Sequence, residues 1–232
     1  MRSDLAALPL VIVAGLLACL GGCTSFANVR SAEVHPGPSL SVQASAGARP
    51  GPVAGWFWAS DCAENCNDPT VGADVGAAFG WRPASGPRAL AVSAGISGEY
   101  PYVDGYAQLA DGRRPFGLGL RVGLPVWSWR QHQLYARYDV PLGTSVRLLL
   151  NPALFLHEGD SPSPGNPGTF KAFVQGIGLE WRGGLVALTP AVALLAGRAE
   201  RTSYGVRHGP ESAVFATASL GVSVHRRRSS RR

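Results

Sequence analysis

From Val71 onward, apolar residues alternate with small or polar ones at a period of two. At that spacing successive side chains point to opposite faces of a β-strand. In residues 71–82, Val71, Ala73, Val75, Ala77, Phe79 and Trp81 share one face, and Gly72, Asp74, Gly76, Ala78, Gly80 and Arg82 share the other. Residues 116–126 repeat the pattern, with Phe116, Leu118, Leu120, Val122, Leu124 and Val126 opposing Gly117, Gly119, Arg121, Gly123 and Pro125. Tyr135, Arg137 and Asp139 form the polar side of 134–140. In 146–156, Arg147 and Asn151 oppose Val146, Leu148, Leu150, Leu154 and Leu156. Residues 214–224 set Val214, Ala216, Ala218, Leu220, Val222 and Val224 against Phe215, Thr217, Ser219, Gly221 and Ser223. No comparable helical period follows the first thirty residues.

The connections between these segments differ in length. Short ones at 83–88, 111–115, 141–144 and 183–184 are rich in Gly, Pro, Asp and Ser, which suit tight turns. Longer ones fall at 61–70, 158–169 and 198–211. Together they predict ten strands, at 53–60, 71–82, 89–98, 104–110, 116–126, 132–140, 145–157, 170–182, 185–197 and 212–225. An even count, and strands near ten residues, suit a tilted crossing of a bilayer core. The pattern resembles the outer-membrane β-barrel class. That resemblance implies an all-β, antiparallel up-and-down β-barrel of about ten strands, apolar outside and polar within. Trp56, Trp58, Trp81, Trp127, Trp129, Trp181, Tyr100 and Tyr102 lie near predicted strand ends, where aromatic girdles sit at headgroup depth. The chain departs from the class at its end: the last strand finishes Val222-Ser223-Val224-His225 and not on an aromatic residue.

Periodicity alone does not say which face is inside. A membrane barrel puts its leucines and valines outward. A lipid-anchored soluble barrel or sandwich, binding an apolar ligand, reverses the polarity. Glycine and arginine opposite the Leu/Val faces favour the membrane arrangement, because a glycine-lined interior buries little apolar surface. The lumen would then hold a mixed-sign network of Asp74, Arg82, Arg121, Arg137, Asp139 and Arg147, with Glu180 a further candidate. Such charges need partners, since desolvation costs several kcal/mol per ion. A salt-bridged plug and a selective pore lining are the two readings of that network, and the former is preferred.

The first residues form an address. Met1-Arg2 precedes an apolar run at 5–20, the size of a signal-peptide core and short for a membrane helix. Leu20-Gly21-Gly22-Cys23 resembles the lipobox of bacterial lipoproteins. The resemblance implies a signal peptide at 1–22, acylation of Cys23 and, with Thr24 following, sorting to the outer membrane. Leu16-Leu17-Ala18-Cys19 and a cut after Ser25-Phe26-Ala27 are the alternatives. Residues 23–52 then read as a lipid-anchored flexible tether, 53–225 as the barrel and 226–232 as a basic tail. Export places Cys62 and Cys66 in an oxidising compartment, where a disulfide between them closes a loop tip. Asp61, Glu64, Asn65, Asn67 and Asp68 in that loop are oxygen ligands for a hard cation, but a polar surface tip is the preferred reading.

The chain has 232 residues, 46% hydrophobic and only 16% charged, with 30 glycines. Its net charge is +6, yet Arg226, Arg227, Arg228, Arg231 and Arg232 account for five of those charges. The remainder is nearly neutral, which excludes a nucleic-acid groove there. The tail itself suits an anionic periplasmic partner or headgroups, and outer-membrane lipid is the main partner expected. Neither a cofactor nor a metal is expected. For catalysis, no Gly-x-Ser-x-Gly elbow occurs, and His157-Glu158 with Asp160 is the candidate for a membrane-embedded hydrolase or acyltransferase. The role expected is structural or interaction-based, with room for narrow solute passage.

Overall fold

The computed structural model describes residues 29–48, 70–97, 100–124, 130–160, 167–203 and 206–225. These form ten strands: β1 (Gly37–Ala48), β2 (Thr70–Trp81), β3 (Ala89–Ser97), β4 (Tyr100–Ala110), β5 (Phe116–Gly123), β6 (Arg130–Pro141), β7 (Val146–Asp160), β8 (Pro167–Gly183), β9 (Val186–Ser203) and β10 (Val206–His225). Each pairs antiparallel with its sequence neighbours, and β1 pairs with β10 to close the barrel. The all-β, up-and-down architecture expected from the alternation is the architecture found.

The side-chain polarity is that of a barrel turned inside out. Leu118, Leu134, Leu154 and Leu220 stand on the outer surface at 45%, 54%, 59% and 50% exposure, while Asp74, Asp104 and Arg121 are at 0%, 3% and 6% inside. Alternation explains both facts, since each strand sends every second residue inward. Trp81 and Trp181 are exposed near the short-turn ends of β2 and β8, where a girdle belongs. Tyr102 does not join them, because its place in β4 faces it into the lumen, where it is buried. Trp56, Trp58, Trp127 and Trp129 lie outside the described residues.

Several boundaries differ from the sequence reading, among them the start of β4 at Tyr100 where 104 was expected. The first strand is 37–48 and lies in the stretch read as a tether; the strand expected at 53–60 lies outside the described residues. Residues 37–48 are short of large apolar side chains, so their alternation of Ser, Gln and Ala escaped a search for hydrophobic period. The connections expected at 158–169 and 198–211 are largely strand: β7 runs to Asp160, β8 starts at Pro167, and β9 and β10 reach Ser203 and Val206. The backbone ladder continues there after the apolar alternation has stopped. The short turns fall where expected, with Gly86, Gly112 and Gly184 at φ of 89°, 88° and 65°. The leader with Cys23, the Cys62–Cys66 loop and the basic tail are outside the described residues.

The described chain begins within the lumen. Residues 29–36 run down the inside of the barrel and turn at Gly37, whose φ of 98° suits glycine, into β1.

Candidate functional site: the occupied lumen

The upper ionic layer centres on Asp74. Its Oδ2 accepts from Arg121 Nη1 at 2.9 Å, and its Oδ1 accepts from Arg30 Nη2 at 2.8 Å and from the Tyr102 hydroxyl at 3.0 Å. Arg121 also stacks on the Tyr102 ring, 3.8 Å from its centroid, a favourable use of a desolvated guanidinium. Asp104 lies within 3.6 Å of Arg121 and 3.7 Å of Arg137, and accepts the Tyr135 hydroxyl at 2.5 Å. Arg137 lies 4.6 Å from both the Tyr106 and Tyr135 centroids, and those rings are nearly parallel. Glycine makes the room: a Cβ at Gly119 would stand 2.2 Å from Tyr135 Cζ.

Nearer the short turns the wall meets residues 29–36. Asp139 accepts from the Ser31 hydroxyl at 2.5 Å and from Ala32 N–H at 2.8 Å. Val34 N–H donates to Gln108 Oε1 at 2.9 Å, Tyr106 donates to the Ala32 carbonyl at 2.9 Å, and Arg30 N–H donates to Asn151 Oδ1 at 2.7 Å. Glu33 bridges Arg147 at 2.7 Å and Arg182 at 2.5 Å. Arg182 also pairs with Glu180, and Arg147 with Asp139 at 3.4 Å. Burial alone would raise the Glu33 carboxyl, but Arg182 and then Arg147 hold it below its ordinary value. Val29, Ala32 and Val34 are buried. Val29 sits where Gly176 and Gly178 leave space, since a Cβ at either would lie 2.6 or 2.9 Å from its methyls. The inner segment is therefore fitted into the lumen, with a cavity of about 100 Å³ beside it.

Of the six charges predicted for the lumen, Asp74, Arg121, Arg137, Asp139 and Arg147 line it, as does Glu180. Arg82 does not. It follows the last residue of β2 and pairs at 3.6 Å with Asp111 at the exposed rim. Asp104, Arg182, Tyr102 and Tyr106 were missed, although their alternation with Val103, Gly105 and Trp181 marks them as inward, whereas Tyr135 was read on the polar side of its strand. Arg30 and Glu33 could not be found by period, because they precede the first strand.

The catalytic candidate dissolves. His157 is buried in the lumen, stacked 6.3 Å from Phe155, while Glu158 is exposed on the opposite face of β7. Ser223 and His225 do meet, at 3.1 Å, with His35 stacked 4.2 Å from His225. Neither ring donates a hydrogen bond to a carboxylate among the described residues, so the third member of a nucleophile–base–acid set is missing there. The layers around Asp74, Asp104 and Asp139 are ionic, unlike the apolar ligand pocket of the alternative reading.

No protein-family model and no curated protein matches the chain. Among solved structures it is similar to neisserial surface protein A, at a TM-score of 0.39 and 11% identity over 84% of this chain and 100% of that one. It is similar to Ail, the attachment invasion locus protein of Yersinia pestis, at 0.32 and 11% over 82% and 99%. It is similar to the KdgM porin, solved in complex with disordered oligogalacturonate, at 0.32 and 7% over 81% and 99%.

Proposed function

We propose that this chain is an outer-membrane β-barrel of structural or interaction type, whose lumen is closed to free solute passage by its own residues 29–36. The observation that carries the reading is the polarity of the wall: large apolar side chains exposed all round, ion pairs enclosed. In water that arrangement is unfavourable twice over, leaving apolar area wet and charges desolvated. In a bilayer the outer face is solvated by hydrocarbon, and barrel closure leaves no strand edge unpaired in lipid. Outer-membrane lipid is thus the partner that the outer face suits. The lipobox-like Cys23 would add an acyl anchor, and the lumen network serves as a plug seat, not a selectivity filter.

Alkaline-carbonate extraction of a Cys23→Ala form tests the reading, with gel migration compared before and after boiling. Retention in the membrane pellet and heat-modifiable migration are expected. Release into the soluble fraction would refute a spanning barrel.

A further inference from the structure

We infer that the seated inner segment completes a buried site for one small monovalent anion of the chloride class, between Arg121, Arg137 and Asn151 at mid-barrel. The inference rests on the seating of residues 29–36 proposed above, and crystallography reads seating and site separately.

Charge is unbalanced in this layer. Three guanidiniums, Arg30, Arg121 and Arg137, meet two carboxylates, Asp74 and Asp104. Asp74 takes Arg30 at 2.8 Å and Arg121 at 2.9 Å. Asp104 is left for Arg137 at 3.7 Å and is shared with Arg121 at 3.6 Å. Arg137 is therefore the least neutralised cation of the three. The opposite excess lies in the layer nearer the short turns, where Glu33, Asp139 and Glu180 meet Arg147 and Arg182. A charge enclosed at low dielectric is costly unless a counter-charge lies close to it. Without the inner segment the upper layer balances, two arginines to two aspartates, so it is Arg30 that creates the excess.

The same layer holds donors without acceptors. Arg121 Nε, Arg137 Nε and Asn151 Nδ2 are buried and make no hydrogen bond, in residues only 6%, 8% and 6% exposed. All three residues line one cavity of about 10 Å³, room for a single water-sized particle. Their other bonds fix which atoms are left over. Arg121 spends its Nη groups on Asp74 and Asp104, and Arg137 spends Nη2 on Asp104, so the Nε edges remain. Asn151 Oδ1 accepts the Arg30 N–H at 2.7 Å, so the end left over is a donor. The rest of the lining is apolar, from Val29, Ala153, Val174 and Gly176, apart from the Gln133 amide and Tyr135, whose hydroxyl is spent on Asp104. A water could accept from two of the three donors and would have to place both its own O–H bonds among apolar groups and one amide. A monovalent anion accepts all three and cancels the excess charge. Val29 covers the cavity and Arg30 supplies the extra charge, so anion binding and seating must favour each other.

Crystals of the purified full chain grown in bromide, with an anomalous difference map at the bromine edge, test this. Expected is a peak between Arg121 Nε, Arg137 Nε and Asn151 Nδ2. Residues 29–36 seated in the lumen with no peak there would overturn the anion site and leave the seating intact. Residues 29–36 found outside the lumen would overturn both. Asn151→Asp keeps an acceptor for the Arg30 N–H and brings a negative charge in place of the donor. Its crystals should show the segment seated and no peak, and a peak that persists would refute the site. In planar bilayers at fixed ionic strength, exchanging chloride for gluconate, which is too large for the cavity, should raise the fraction of time conducting. For a site about nine-tenths filled in chloride the rise is about tenfold. The Asn151→Asp form should show no such rise. Equal conducting times in the two salts for the unaltered chain would overturn the inference.

Discussion

Replacing Asp139 asks whether residues 29–36 are held by the wall or merely lie against it. Its Oδ1 accepts the Ala32 N–H at 2.8 Å and its Oδ2 accepts the Ser31 hydroxyl at 2.5 Å. Alanine removes both acceptors and leaves Arg147 still paired with Glu33 at 2.7 Å. Hydrogen bonds to a charged group contribute about 1.5–3 kcal/mol each. The lower figure suits a site with a cavity beside it, so the pair contributes about 3 kcal/mol to docking. At 1.4 kcal/mol per tenfold, Asp139→Ala shifts the plug towards its undocked state by about 100-fold. Asp139→Asn keeps an acceptor for Ala32 and loses the charge, so a shift of about tenfold is expected for it. The assay is single-channel recording of purified protein in planar bilayers, reading the fraction of time conducting. The order should be alanine, then asparagine, then the unaltered chain, with heat-modifiable migration unchanged in all three. Folded Asp139→Ala barrels that conduct no more than the unaltered chain would show that the seal does not depend on this carboxylate.

Leu154→Arg places a charge on the outer belt and should destabilise the folded barrel by about 2–4 kcal/mol in denaturant titrations in lipid vesicles. Arg82→Ala should leave stability and conductance unchanged in the same measurements, because its pair with Asp111 is exposed and long. Tyr135→Phe removes the donor to Asp104 and should cost about 1–3 kcal/mol in the same titration, with the apolar belt untouched. Glu33 gives the pH dependence. Its docked value lies below the ordinary 4.5, so its contribution to docking is complete above that pH and is lost as pH falls through the docked value. Conducting time should therefore rise on acidification below about 4.5, and this rise should be blunted in Glu33→Gln, which no longer titrates there.

Where a strand carries large apolar residues on one face, its lumen residues could be read directly, as with Asp74, Arg121, Arg137, Asp139 and Arg147. The polarity followed from glycine and arginine opposing leucine and valine. β1 was not legible, because strands are found by hydrophobic contrast and, opposite Ser39, Ser41, Gln43 and Ser45, Leu40 and Val42 are followed by alanines alone. Its place is set instead by pairing with both β2 and β10, a non-local fact. The plug was illegible for a related reason: its bonds to the wall reach 44 to 151 residues along the chain. A Pro-Gly-Pro at 36–38 next to a strand edge is the one local signal that could have marked the reversal. Arg82 was misplaced because alternation was carried one residue past the strand into the turn.

The arrangement of charge explains why the plug can be separate from the barrel that holds it. Among the described lumen residues the wall supplies Asp74, Asp104, Asp139 and Glu180 against Arg121, Arg137, Arg147 and Arg182, four of each sign. The inner segment adds one of each, Arg30 towards Asp74 and Glu33 towards Arg147 and Arg182. Undocking therefore leaves every wall carboxylate with an arginine: Asp74 keeps Arg121, Asp104 keeps Arg121 and Arg137, Asp139 keeps Arg147, and Glu180 keeps Arg182. An uncompensated buried charge, the costly outcome when one partner of an ion pair is lost, does not arise. The wall closes through its backbone ladder and neutralises itself, so the segment's ten or so polar contacts can be spent on sealing. A barrel that needed Arg30 or Glu33 to balance its lumen would unfold when the plug left. This one is built to remain a barrel without it.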